Sequence, residues 1–378
     1  MRTCFVIPSF DFFLSHRYQL IKRLAYKYEI FVLTDISDVE KKMIAKLKNE
    51  NIQLINIPMR KKSGLRYFIY YFLELKKSLK EIQAEKVFLV TLELTFFGSI
   101  LCQLDPYIKK WHFLITGMGP FYEANNIRYK IFKKLFKLNI KFFLNHKKCL
   151  FIFQNPDDCD YFKLQSLISN NNYEIIQGNG IDCYDDNFYH SIDDSSLNPR
   201  FCFVGRLAKS KGIIEFIDAS KVIYKTYPLV KFLIAGSFKA DAPDYCSREF
   251  YSDLINLPNV VFVGHIEHKQ VKGLYKPGDI FVLPSSGEGL PKAALEAAAN
   301  SLPLILTDVP GCRECIEKNG IFIQKGDVSQ LTKAMEAFIC EPGLIKIMGM
   351  ESVKLCKKRF DIKKIVYRFD KLIQRQSI

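Results

Sequence analysis

Two carboxylates eight residues apart are the feature of this chain that most suggests chemistry: Glu288 and Glu296, in Glu288-Gly-Leu-Pro-Lys-Ala-Ala-Leu-Glu296. The apolar run Ile280-Phe-Val-Leu-Pro284 and then Ser285-Ser286-Gly287 precede them, and an alanine-rich run follows, so the local order reads strand, glycine-bearing loop, helix. Pro291 suits the first helical turn, where its missing N–H removes no bond. At a rise of about 1.5 Å per residue, Glu288 falls in the loop and Glu296 roughly two turns down the helix. One carboxylate can then hold the reacting part of a ligand and the other a distal part. The N–H groups around Gly289, Leu290 and Lys292 are placed to meet a phosphate. That donor set suits a nucleotide sugar, although glutamates at this spacing are also common on plain surface helices.

Further motifs in the same half supply the missing partners. Val204-Gly-Arg-Leu-Ala-Lys-Ser-Lys-Gly212 follows an apolar run, Gly205 ends that run, and Arg206 and Lys211 stand five apart across the turn into the next helix. Two cations there would neutralise a diphosphate whose leaving oxygen gains charge in the transition state. Val263-Gly-His-Ile266 and Asp308-Val-Pro-Gly-Cys-Arg-Glu314 each follow another strand-like run.

Taken in order, these motifs resemble those of the retaining glycosyltransferases of family four, densely in the C-terminal half and thinly in the N-terminal half. The resemblance implies the GT-B fold, an α/β architecture of two Rossmann-like doubly wound domains facing across a cleft. It implies that Glu296 holds the ribose hydroxyls, Glu288 the donor-sugar hydroxyls, and Arg206 with Lys211 the diphosphate. Gly205 would shape that turn, the segment Gly289, Leu290, Pro291 and Lys292 would back the phosphates, and Val263 and Ile266 would frame the base. On the acceptor side it points to Arg17, Thr116, Gly117, Gly119 and Asn155. Ile115-Thr-Gly-Met-Gly-Pro-Phe-Tyr122 looks like a subgroup acting on undecaprenyl-diphosphate-linked sugars in O-antigen, capsule or protein-glycan assembly, with Thr116 near where many members carry a histidine. The implied reaction moves a hexose or N-acetylhexosamine from a UDP-sugar to a lipid-diphosphate-linked sugar, with retention and with no cofactor or metal. A nucleotide-sugar 2-epimerase of the same fold, a GDP-mannose-dependent transferase, and a non-catalytic basic scaffold for membrane or nucleic acid are the alternatives. The scaffold explains the charge but not the pocket set.

The elements that must position these residues alternate throughout. A chain of 378 residues suits two domains of ordinary size. Strands are expected at 3–8, 30–34, 52–58, 86–91, 111–116, 149–154 and 173–177, then at 201–205, 231–235, 260–263, 280–284, 303–307 and 321–324. Helices are expected in the first half at 14–27, 38–49, 64–82, 92–103, 127–146 and 157–168. That alternation predicts parallel sheets with ligands at the carboxyl ends of their strands. The expected division is 1–182, a polar linker at 183–199, 200–357, and an amphipathic C-terminal helix at 358–378 that returns to the first domain. Residues 9–17 read as a loop, with His16 and Arg17 opening the helix after it. His112 lies within a strand and reads as a core histidine.

Composition narrows the class. Hydrophobic residues make up 48% and charged residues 25%, as in a globular protein with a full core. No apolar run reaches the length of a membrane span, and Met1-Arg-Thr-Cys-Phe-Val-Ile-Pro8 reads as a first strand rather than a secretory signal. Eleven cysteines, mostly inside apolar segments, read as reduced thiols of a cytoplasmic protein, and Cys312 and Cys315 lack a second pair to bind zinc. Asp158-Cys-Asp160 has a metal-binding spacing but opens a helix, where acidic residues suit the dipole. Residues 1–180 hold 28 Lys and Arg against 16 Asp and Glu, a net of +12 out of a total of +15. Residues 128–148 carry eight Lys or Arg and no acid, with Ile131, Leu135, Leu138 and Phe142 at helical spacing. Such a helix either packs on a sheet or rests on an anionic membrane surface. The expected setting is therefore cytoplasmic and peripheral at the inner face of the membrane, with that helix open as either a packed element or the membrane contact, and with no nucleic acid as partner.

Overall fold

Apolar residues fill whole strands instead of alternating, the pattern of parallel strands covered on both faces. The computed structural model describes residues 1–58, 65–105, 107–118, 127–143, 148–169, 171–183, 199–238, 244–266 and 270–375. In it these runs form two separate sheets. One has β1 (Arg2–Val6), β2 (Glu29–Thr34), β3 (Ile52–Asn56), β4 (Lys86–Val90), β5 (Lys110–Ile115), β6 (Cys149–Phe153) and β7 (Tyr173–Ile175), in the order β3-β2-β1-β4-β5-β6-β7. The other has β8 (Arg200–Val204), β9 (Lys231–Ala235), β10 (Val260–Gly264), β11 (Asp279–Leu283), β12 (Leu304–Thr307) and β13 (Gly320–Ile323), in the order β10-β9-β8-β11-β12-β13. The pairings between these strands are parallel. In each sheet the order reverses beside the first strand, between β1 and β4 or between β8 and β11. Doubly wound sheets bind ligands at such switch points, at the carboxyl ends of the strands.

The chain divides into two compact units, Met1–Gly180 with Ile362–Ile378, and Ile181–Asp361. In the first, side chains go alternately to the two faces of the sheet. Cys4, Val6, Val87 and Leu89 enter one core with Tyr71, Phe97 and Phe136, from the helices Leu65–Ile82, Leu92–Leu104 and Ile127–Phe143. Phe5, Ile7, Phe88 and Val90 enter the opposite core, against Ile365, Phe369 and Leu372 of the final helix Ile362–Gln374. That helix is also tied by polar contacts. Asp370 accepts from Lys27 Nζ at 2.8 Å and from the Tyr28 hydroxyl at 2.5 Å, and Lys86 Nζ donates to the Arg375 carbonyl at 2.6 Å. Gly180 has φ +80°, and a Cβ there would lie 2.6 Å from Ile362 Cα, so only glycine permits this approach.

The segment after β1 differs from expectation. Ser9 caps a helix that starts at Phe10, its Oγ accepting from the Phe12 N–H at 3.2 Å, where a loop is expected before a helix at 14–27. The helix runs Phe10–Phe12, widens to a π-helical turn at Phe13–Arg17, and continues as Tyr18–Ala25. Both Phe13 and Arg17 are buried. The serine cap is a readable start signal, but the aromatic run hides the helical period behind it.

His112 lies in the core as expected, stacked on Phe88 at 4.1 Å, which stacks in turn on Phe5 at 4.7 Å. Burial, and then the nearby Lys86 amine, push its pKa down to about 3. An unfolded histidine takes up its proton near pH 6.5, so between there and pH 3 the unfolded chain binds the extra proton. This residue therefore subtracts about 1.4 kcal/mol of stability per unit of falling pH across that window. Urea unfolding at stepped pH should show His112→Phe losing that share of the acid slope. An unchanged slope would mean that the ring is protonated in the fold.

Candidate functional site

The loops leaving β8 and β11 are bound to each other. After β8, Gly205 donates its N–H to the Ala235 carbonyl at 2.9 Å, and the chain turns through Arg206 to a 3₁₀ turn at Lys209–Lys211. Asp244 fixes that turn. Its backbone carbonyl accepts from the Lys209 N–H at 2.7 Å, and its carboxylate accepts from the Ser210 N–H at 3.1 Å and the Ser210 hydroxyl at 2.5 Å. The Ser210 carbonyl then accepts from the Ser286 N–H at 2.9 Å and the Ser285 hydroxyl at 3.1 Å, both in the loop after β11. Gly212 has φ +75° against the Pro284 carbonyl and has no room for a Cβ.

This junction brings Lys211 Nζ to 2.5 Å from Glu288 Oε1. Ser285 Oγ donates to the same oxygen at 2.8 Å, and the Glu288 N–H donates to the Pro310 carbonyl at 3.2 Å. The side chains of Lys211 and Glu288 are only 22% and 10% exposed. The loop after β12 closes beneath them, where Gly311, at φ +82°, faces the Glu288 and Gly289 carbonyls at a distance no side chain would permit.

The helix after Glu288 is Lys292–Ala299, with Pro291 at its N-cap instead of inside its first turn. Glu296 is therefore little more than one turn into the helix, not two. Lys292 Nζ lies 3.3 Å from Glu296 Oε1, both side chains being 16% exposed. Burial lowers the Lys292 pKa, while Glu296 and then Asp182 draw it back up. The Tyr275 hydroxyl is held well above its usual range by burial and then by the charge of Glu296. It is buried with no hydrogen-bond partner among the described residues. Arg206 is exposed, its guanidinium 5.7 Å from the centre of the Tyr245 ring. Val263, on β10, is 39% exposed, and Leu290 and Ile266 pack partly against the core.

Other expected residues lie in the first unit. Thr116 and Gly117 follow β5, with Gly117 at φ +128°. Gly119 lies outside the described residues, as do most of the expected linker and residues 144–147 of the basic helix. Asn155 is a helix cap: its Oδ1 accepts from the Asp158 N–H at 2.7 Å and its Nδ2 donates to the Asp158 carboxylate at 2.9 Å. This reciprocal bond accounts for Asp158 as a capping residue. Burial holds the Cys312 and Cys315 thiols well above their usual range, so neither is a thiolate. The sequence reading misses Ser210, Asp244, Tyr245, Tyr275 and Ser285. Only Ser210, inside Val204–Gly212, and Ser285, two residues before Gly287, sit in motifs that could have drawn attention to them.

Residues 198–341, all within the second unit, match the sequence family described as Glycosyl transferases group 1. The match gives the second unit a group 1 glycosyltransferase domain. Over 96% of its length it is 25% identical to 98% of the N,N'-diacetylbacillosaminyl-diphospho-undecaprenol alpha-1,3-N-acetylgalactosaminyltransferase of Campylobacter jejuni. It is 30% identical to the Staphylococcus aureus capsular polysaccharide biosynthesis glycosyltransferase CapM, over 46% of this chain and 44% of that protein. The match thus spans less than half of CapM. Among solved structures, sucrose-phosphate synthase from Thermosynechococcus elongatus superposes with a TM-score of 0.79, covering 99% of this chain and 98% of that one at 17% identity. Anabaena HepE in complex with UDP and glucose gives 0.74, with 99% of each chain covered at 16% identity. These likenesses agree with the GT-B fold that the motifs imply.

Removing one member of a largely buried ion pair strands the other and costs ~3–5 kcal/mol. Lys211→Met should destabilise the second unit by that order, and Lys211→Met with Glu288→Leu should recover most of it in urea unfolding. Additive losses would show that the two groups are not coupled.

Proposed function

We propose that the protein transfers a hexose or N-acetylhexosamine from UDP to a lipid-diphosphate-linked sugar, with retention, in bacterial polysaccharide assembly. The observation that carries this is the Lys211–Glu288 pair at 2.5 Å, set at the carboxyl ends of β8 and β11 and followed one helical turn later by Glu296. In this reading Lys211 and Arg206 hold the diphosphate and Glu288 the sugar hydroxyls. Glu296, oriented by Lys292, holds the ribose. The N–H groups from Gly289 to Lys292 back the phosphates. Val263 and Ile266 border the base.

The bond from C1 of the sugar to the UDP oxygen breaks as the two cations take up the charge on that oxygen. The acceptor hydroxyl then bonds to C1 on the same face, and its proton passes to the departing phosphate. Glu288 is engaged by Lys211 and Ser285, which suits a carboxylate that positions a sugar better than one that attacks it. The transferred group and the acceptor class follow a relative of similar length, the Campylobacter jejuni protein, whose name specifies an undecaprenyl-diphosphate acceptor and an N-acetylgalactosaminyl group, and the UDP donor follows the ligand of the Anabaena HepE structure. No metal or cofactor is part of this scheme.

The acceptor's lipid calls for a membrane surface, and the helix Ile127–Phe143 supplies one. It packs through Phe136, Asn139 and Ile140 and leaves Ile131, Leu135, Leu138 and Phe142 between 43% and 79% exposed. Lys130, Lys134 and Lys141 are exposed beside that stripe. Apolar side chains flanked by lysines suit an anionic lipid surface, at ~1 kcal/mol per basic residue in addition to apolar burial. No helix among the described residues is long and apolar enough to cross a membrane.

Two experiments test this reading. UDP- and GDP-sugars are offered with a polyprenyl-diphosphate N-acetylhexosamine to wild type, Glu296→Ala and Arg206→Ala. One UDP-sugar should be transferred with its anomeric configuration kept, and each variant should lose on the order of 10²-fold or more in rate. Variants as active as wild type would remove the pocket assignment, and transfer from GDP-mannose alone would correct the donor. Separately, Leu135→Glu with Phe142→Glu should abolish sedimentation with anionic vesicles while leaving the melting temperature near that of wild type. Undiminished sedimentation would place the membrane contact elsewhere.

A further inference from the structure

Arg17 has no partner among the described residues. It sits in the π-helical turn after β1, is 1% exposed, and neither its Nε nor its Nη2 makes a hydrogen bond. Burial lowers its pKa to about 9, so the guanidinium is still charged at pH 7. A structural arginine in an interior normally donates to carbonyls or a carboxylate, because an unpaired buried ion is strongly unfavourable.

Two hydroxyls at the same sheet edge share this condition. Thr34 ends β2 and Thr91 directly follows β4, and the Oγ1 of each is buried without a partner. The register sets Val6 of β1 opposite Leu33 and Leu89, so Thr34 and Thr91 leave the sheet at the edge from which the chain passes into the Arg17 helix. Thr91 also holds φ +106°, a region that β-branched residues rarely enter. Its backbone is held there by its N–H to the Leu114 carbonyl at 3.0 Å and by the Thr95 hydroxyl on its own carbonyl at 2.8 Å. The switch point of this sheet falls between β1 and β4, where a doubly wound sheet receives its ligand.

We infer that Arg17, with Thr34 and Thr91 at the same sheet edge, forms an anion site in the first unit that takes the diphosphate of the lipid-linked acceptor. A guanidinium presents a planar fork that fits phosphate oxygens in pairs, and threonine hydroxyls can donate to those that remain. The choice of a lipid diphosphate rests on the transferase reading; the anion site itself does not.

The test separates the two. With UDP saturating, inorganic pyrophosphate and detergent-solubilised polyprenyl-diphosphate N-acetylhexosamine are each added to wild type, Arg17→Met and Arg17→Lys, and melting temperatures are read. Both additions should raise the wild-type value and neither should raise that of Arg17→Met, which should itself melt at or above wild type because methionine fills the space without a charge. In transfer assays Arg17→Met should raise KM for the lipid acceptor about thirtyfold, the loss of one charge-assisted contact, with KM for the UDP-sugar within about twofold. An equal thermal shift in Arg17→Met, or a loss falling on the UDP-sugar KM, overturns the site. So does failure of Arg17→Met to fold while Arg17→Lys folds, which would mark a structural cation. A shift with pyrophosphate but not with the lipid overturns the acceptor assignment. Absence of any transfer defeats the transferase reading while the pyrophosphate shift still reports on the anion site.

Discussion

The ion pair between Lys211 and Glu288 joins residues 77 positions apart and sets the geometry of the second unit's carboxyl edge. Neither loop has enough structure of its own to hold a long side chain in place. Asp244 secures the first from behind, and the Ser210 carbonyl passes that constraint to Ser285 and Ser286. Glycine at 212 and at 311 then lets backbone approach where a side chain would push the loops apart. The pair is weak evidence for stability, since two charges taken out of water recover little net energy. Its value lies in orientation: a cation and a carboxylate are fixed next to the start of the helix Lys292–Ala299, with little freedom to be lost when a charged ligand enters.

What the sequence made legible follows from which interactions are local. The inner parallel strands are buried on both faces, so they read as continuous apolar runs, and all thirteen expected strands lie within a residue or two of the observed ones. Glycine- and proline-bearing loops between them announced the site's second half. The partners of that site were not legible. Asp244 and Tyr245 reach the Arg206–Lys211 turn from beyond β9, and Tyr275 comes under the influence of Glu296 from the segment before β11. No spacing rule marks them, because tertiary folding alone brings them together. Helix starts were harder still. The helix after β1 begins four residues earlier than expected, since the aromatics at 10, 12 and 13 all pack in or against the core and hide the helical period.

The exposed face of the helix Ile127–Phe143 shows how one pattern can satisfy two constraints. Its sequence fitted either a helix packed on a sheet or one resting on lipid, and the structure packs one stripe of it and leaves another exposed. Phe136 and Ile140 fill the core while Ile131, Leu135, Leu138 and Phe142 stay outside it. A helix with only the first requirement would carry polar residues on its outer face. Lysines that line the packed side are also engaged, Lys133 and Lys137 lying over the Tyr161 ring at 5.2 and 5.6 Å, which leaves the outer ones to face solvent or headgroups.

The two units treat their cations in opposite ways, and the difference has a physical meaning. Lys211 is neutralised within the protein by Glu288, so any incoming anion would have to share it with that carboxylate. Arg17 has no internal counter-charge among the described residues, so its burial is a standing cost that an anion alone would relieve. Thr91 adds a second local cost, its backbone held at φ +106° beside the same switch point. Packing alone favours replacing such groups, because an apolar side chain of similar volume would fill the site without penalty. They stand at the carboxyl edge of this sheet, beside its switch point, where doubly wound sheets receive ligands, and strain kept for binding is expected there.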